Sequence, residues 1–174
     1  MEHIVCGQVF DEERALYNIK NTEVKDCTFA GPADGESVLK ETRNIVVKNC
    51  DFSLRYPLWH GRGFELDNVS MDELTRAAIW YTNDGVIKNS KLHGIKAVRE
   101  CENIRIEDSS VKSPEFGWRT KGLDIKRSEM ESEYFLFECK DVTIDELKMK
   151  GKYSFQYVEN MTITNSYLDT KDAF

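Results

Sequence analysis

Apolar residues at helical spacing are missing from this chain of 174 residues, which excludes the amphipathic helices of an ordinary mixed fold. No stretch approaches the roughly eighteen apolar residues of a membrane span. The segment Met1-Glu2-His3-Ile4-Val5-Cys6 has neither the charged start nor the long apolar core of a signal peptide. The five cysteines are odd in number, include no CxxC pair and sit at no metal-ligand spacing. No metal site is expected, and the thiols read as small core residues of a reduced, cytoplasmic protein. Cys27 and Cys50 occupy equivalent positions on adjacent repeats, where a bridge would be in reach, but the compartment argument favours free thiols. A net charge of −7 argues against a dedicated nucleic-acid binder. Glycine-rich nucleotide loops of the GxGxxG or Walker type do not occur, and no cofactor is expected.

What the chain does have is a repeat. Asp26-Cys27, Asn49-Cys50, Asn68-Val69, Asn89-Ser90, Asp108-Ser109, Arg127-Ser128, Glu146-Leu147 and Asn165-Ser166 align, with second residues spaced 23, 19, 21, 19, 19, 19 and 19 apart. Three residues before each lies an apolar column: Val24, Val47, Leu66, Ile87, Ile106, Ile125, Ile144 and Ile163. Two residues earlier runs a weaker one, from Ile45 to Met161, with Thr22 and Gly85 as lapses. Spacing by two and a β-branched bias place both columns on one face of a strand. The small residue and, two further on, Phe29, Phe52, Met71, Leu92, Val111, Met130, Met149 and Leu168 continue the alternation.

The position before the first strand is always Asn, Asp or Gly, from Asn21 to Asn160. These residues tolerate a left-handed backbone at a corner. Three corners and three short strands per unit describe an all-β, single-stranded right-handed parallel β-helix with about 19 residues per coil, each burying its apolar residues against its neighbours. The LxxLxLxxN pattern of a leucine-rich repeat and the G-G-x-G-x-D signature of calcium-binding solenoids are both missing. Residues 1–174 read as one domain: an N-terminal cap or incomplete coil over 1–20 and about eight coils over 21–174. Gly31-Pro32-Ala33-Asp34-Gly35 and Asp72-Glu73-Leu74-Thr75 are insertions at corners. The last coil has no cap, so either further chain or a second copy stacking end to end is expected there.

Several strings resemble the DUF3737 family: Phe10-Asp11-Glu12-Glu13-Arg14-Ala15-Leu16-Tyr17, Gly94-Ile95-Lys96-Ala97-Val98-Arg99-Glu100-Cys101, and Gly151-Lys152-Tyr153-Ser154-Phe155-Gln156-Tyr157. The resemblance implies a bacterial protein of unknown function related to the pectin-lyase-like β-helices, with longer members. It supplies a fold and no activity.

The third strand holds the unusual residues. If Leu39, Leu58, Ile79 and Val98 point inward, the next column, Trp59, Trp80, Arg99 and Trp118, points out. Beside it run His60, Tyr81, Glu100 and Arg119, with Arg55 and Arg76 near the strand starts. Aromatics about 4.8 Å apart beside hydrogen-bonding groups suit a carbohydrate or a protein partner. The arginines suit carboxylate or phosphate. The same ladder also serves simply to hold coils in register.

An enzymatic alternative, a pectin-lyase-like lyase or inverting hydrolase, rests mainly on fold analogy. Glu100 and Glu138 share a column two coils apart, roughly 9.6 Å, compatible with inversion. Glu100, Arg119 and Glu138 read more simply as an ion ladder. The aspartate cluster that a metal-assisted lyase wants is absent from the matching face.

Overall fold

A computed structural model describes residues 1–31 and 35–174. Pro32, Ala33 and Asp34 of the first insertion therefore lie outside the described residues. The chain winds into a solenoid of parallel strands, about nine turns of roughly 19 residues, and no helix occurs among the described residues. The nineteen strands of the described residues belong to one continuous sheet.

The first side of most turns is a strand of six residues, such as Lys20–Lys25, Arg43–Lys48 and Glu102–Glu107, and in two turns it runs on into a continuous strand of fifteen, Lys121–Phe135 and Lys140–Ser154. Pairing keeps the repeat in exact column: Val24 beside Val47, Val47 beside Leu66, Leu66 beside Ile87, and so on to Ile163. From Val24 to Ile144 these side chains are fully buried. His3–Cys6 pairs with Thr22–Lys25, and Val9–Phe10 with Thr28–Phe29. The N-terminal segment thus carries paired strands on two sides of the solenoid.

The lapse at Gly85 has a packing reason. A Cβ built there would collide with the Phe64 ring, which projects from the preceding turn into the same column. One oversized residue and one absent side chain fill two layers of the core.

The small column does more than save space. At that corner the backbone N–H of one turn is taken by the small side chain of the next: Val69 by Ser90 Oγ at 3.0 Å, Ser90 by Ser109 at 3.1 Å, Ser109 by Ser128 at 3.2 Å. Each serine hydroxyl in turn donates to the carbonyl two residues back, as Ser109 does to Glu107 at 2.8 Å. The column satisfies buried backbone donors at the corner. Ser109→Ala orphans the Ser90 N–H and is expected to cost about 1–3 kcal/mol, measured by urea unfolding; an unchanged midpoint would contradict this role.

The corner residues adopt the left-handed backbone the sequence implies. From Asn21 to Asn160 the first corner has φ of 51–71°, and from Asp26 to Asn165 the second has φ of 44–54°. Outside, their side chains bond from turn to turn: Asn44 to Asn21 at 2.8 Å, Asn68 to Asn49 at 2.8 Å, Arg127 to Asp108 at 2.8 Å. The last contact holds the Asp108 carboxyl below its ordinary value.

All five cysteines are free; four are buried and Cys6 is exposed. Burial pushes the thiols of Cys50 and Cys101 up to about 12 and that of Cys139 to about 11, from an ordinary 9.0. Above pH 9 the unfolded chain therefore sheds protons that the native thiols keep, so the stability these thiols contribute is fully present below pH 9 and is lost as pH climbs toward 12. Unfolding midpoints across that range should decline less in Cys101→Ala, and a thiol reagent at pH 8 should modify Cys6 alone until denaturant is added. Reaction of several thiols in the native protein would contradict the buried placement.

Candidate functional site

The third side is built differently from the other two. Its segment is a strand at Ala97–Arg99 and Glu115–Trp118, and at earlier turns it is joined by single bridges, Arg55 to Arg76 and Arg76 to Ile95. The backbone alternates here. Leu58, Ile79, Val98 and Leu136 are fully buried at φ of 54–60°, and two residues on His60, Tyr81, Glu100, Arg119 and Glu138 have φ of 53–57°. Branched residues seldom accept that region, so burial of the leucine–isoleucine column outweighs local preference. The residue between the two left-handed positions is turned outward, and in that column stand Trp59, Trp80, Arg99, Trp118 and Phe137, all half-buried.

These five form one continuous stack. Trp59 and Trp80 are parallel, with centroids 5.1 Å apart and planes 8° from each other. The Arg99 guanidinium carbon lies 4.9 Å from the Trp80 ring centre and 5.5 Å from that of Trp118. Trp118 and Phe137 follow at 5.2 Å. Each indole N–H is also committed to a backbone carbonyl of the next turn: Trp59 to Ala77 at 2.6 Å, Trp80 to Lys96 at 2.7 Å, Trp118 to Tyr134 at 3.1 Å. The facing rings of Trp59 and Trp80 cover one another along the solenoid axis, and each residue of the stack keeps part of its surface in solvent.

Beside the stack, His60 lies parallel to Tyr81 at 5.0 Å, and both are exposed. Arg119 is held between Glu138 at 2.6 Å and Glu100 at 3.3 Å, which raises its own pKa. The two carboxylates thus clamp a guanidinium where inversion would need a free water between them. Arg55 pairs with Glu36 at 3.0 Å and touches the Tyr56 ring, while exposed Arg76 has no ion pair among the described residues. Tyr56 contacts Trp59 at 5.3 Å, and the pairings of Arg55 with Arg76, Trp80 with Arg99 and Arg99 with Trp118 set the ten residues singled out in the sequence along one side of the solenoid.

The sequence reading singled out none of Tyr134, Phe137, Tyr153 and Tyr157 as site residues, though Phe137 and Tyr157 continue the two outer columns. Tyr134 and Tyr153 stack at 5.1 Å, Trp118 meets Tyr134 at 6.2 Å, and Phe137 meets Tyr157 at 5.6 Å. For Tyr134 and Tyr153 the available signal was their spacing of 19 residues. The sequence reading also passed over a shallow groove of ≈ 320 Å³ on the second side, lined by His93, Lys112, Met130, Lys150 and Tyr167 among others. Lysines and carboxylates alternate there, Lys148 with Glu129 at 3.2 Å, so the groove selects no sign of charge.

A family model described as "Protein of unknown function (DUF3737)" matches residues 3–174. No curated protein matches the sequence. Among solved structures, the chain is similar to a trypsin-treated variant of QnrB1, a plasmid-mediated fluoroquinolone resistance protein. Identity is 13% and the TM-score 0.42, over 94% of this chain and 91% of that one. It is also similar to the Streptococcus pneumoniae surface protein and adhesin PfbA, at 7% identity and a TM-score of 0.35, over 96% of this chain and 81% of that one. Likeness at this level says nothing of a shared activity.

Proposed function

Because the chain belongs to the DUF3737 family, whose description carries no activity, we propose from its geometry a non-catalytic role: a rigid solenoid that presents its third side to a protein partner. The observation that carries this reading is the aromatic strip, in which Trp59 and Trp80 stack face to face and tyrosines stand exposed beside them. Tyr81, Tyr134 and Tyr157 are 42%, 39% and 77% exposed. Tyrosine, tryptophan and arginine are the residues that dominate protein interfaces, and an exposed aromatic strip of this kind marks an interaction surface.

A sugar is the weaker occupant of the same residues. Carbohydrate stacks by laying a C–H face on a free ring face, and the faces of Trp59 and Trp80 are turned to each other. A catalytic reading finds its two carboxylates already engaged by Arg119.

The test is a partner isolated on immobilised protein and then rebound in purified form. It should bind at least tenfold more weakly to a Tyr81→Ala/Tyr157→Ala double variant and equally to Arg105→Ala, which lies on the first side. Affinity indifferent to the two tyrosines would sink this reading.

A further inference from the structure

We propose, resting on that reading, that Arg99 is the anion-binding centre of the third side and that the partner brings a side-chain carboxylate to it. Arg99 is held by tryptophan on both sides, at 4.9 Å and 5.5 Å, and is half-buried. A guanidinium stacked on ring faces keeps its N–H donors in its own plane, clear of the rings. Among the described residues none of those donors has an acceptor, and no carboxylate pairs with the charge.

Its neighbours differ. Arg119 is engaged by Glu100 and Glu138, Arg55 by Glu36, and Lys96 approaches Glu115 at 3.9 Å. Lys40, half-buried one turn before Trp59, and exposed Arg76 also lack an ion pair among the described residues, but of these cations Arg99 is the one held between two tryptophan rings. A cation–π sandwich offsets part of its desolvation and fixes the fork that reads a carboxylate through two parallel hydrogen bonds.

Charge complementarity selects the occupant. The chain carries −7, which repels a polyanion such as a nucleic acid or a polyuronate at long range. A single carboxylate flanked by apolar side chains matches a single cation flanked by aromatic ones. The fitting partner is a protein segment with an acidic residue between hydrophobic residues.

Tryptophan fluorescence reads this directly, since Trp80 and Trp118 both touch Arg99. The probes are a capped Phe-Leu-Glu-Leu-Phe peptide, its glutamine counterpart and tetragalacturonate. The glutamate peptide should give a saturable change that weakens with salt, with the glutamine peptide at least tenfold weaker. Arg99→Lys, which keeps the charge but not the fork, should lose at least tenfold, and Arg105→Lys nothing; a melting curve confirms that both variants are folded. Equal binding of the two peptides, unchanged binding by Arg99→Lys, binding of tetragalacturonate alone, or no saturable binding of the glutamate peptide would each overturn the inference. A purified partner that depends on Tyr81 and Tyr157 yet ignores Arg99→Lys would remove the carboxylate and leave the docking side standing. Indifference to the tyrosines would remove both.

Discussion

Trp80→Ala is expected to destabilise the fold by about 2–4 kcal/mol, toward the lower part of the range for large aromatic truncations because the ring is half-buried. Three contacts vanish together: the parallel stack on Trp59, the Arg99 guanidinium at 4.9 Å and the indole bond to the Lys96 carbonyl at 2.7 Å. Tyr81→Ala, one residue on, loses an exposed ring stacked on His60 and in edge contact with Trp59 and Trp80, and should cost about 1 kcal/mol or less. Urea midpoints of the two variants, compared at similar slopes, make the measurement. A Trp80→Ala midpoint as mild as that of Tyr81→Ala would mean that the stack does not join the turns. The contrast governs every binding experiment on this side. Loss of a ligand in Trp80→Ala reports a damaged ladder as readily as a lost contact, whereas Tyr81 and Tyr157 can be removed with the stack left in place.

Gly85→Ile, a substitution that restores the residue type its column carries in other turns, should destabilise by about 2–3 kcal/mol or more. The new side chain would enter space held by the Phe64 ring, and Phe64 is itself almost fully buried. Phe64→Val alone leaves a cavity and should also be costly. The double variant Phe64→Val/Gly85→Ile returns two aliphatic layers and should recover at least half of the summed loss, a coupling that a double-mutant cycle measures. Additive losses would show that the two positions do not share one space. A consensus of the repeat would propose Gly85→Ile as an improvement, so its failure separates pair packing from column averages.

The columns of the first two sides were legible because a period of 19 residues repeats a single physical requirement. Val24 and its seven equivalents must be apolar, the corner residues must accept a left-handed backbone, and Ser90, Ser109 and Ser128 must be small. Even the hydroxyl preference in that last column has a cause the structure supplies, the corner N–H of the turn before. The third side was legible only in phase. Trp59, Trp80, Arg99 and Trp118 do face outward, as alternation with Leu58, Ile79, Val98 and Gly117 implied.

The backbone that puts them there was not readable, because leucine, isoleucine and valine at φ near 60° contradict every local preference. Only burial from the neighbouring turns selects it. The fate of the ring faces was likewise hidden. Whether a tryptophan column offers its faces to a ligand or closes them on itself depends on side-chain rotation, and here each indole turns to reach a carbonyl 16 or 18 residues ahead in the chain. The isolation of Arg99 emerges the same way, since Glu100 beside it in sequence serves Arg119 one turn on.

The claim on which the reading of the third side depends is that the tryptophans are closed upon themselves and upon Arg99. Hydrogen exchange of the three indole N–H signals by NMR tests it most directly. Slow exchange is predicted at Trp59 and Trp80, whose bonds are 2.6 Å and 2.7 Å, with Trp118 faster at 3.1 Å, and no signal should move on addition of neutral oligosaccharide. Rapid exchange at all three, with shifts that saturate as a neutral sugar is added, would contradict the account and return the ladder to carbohydrate.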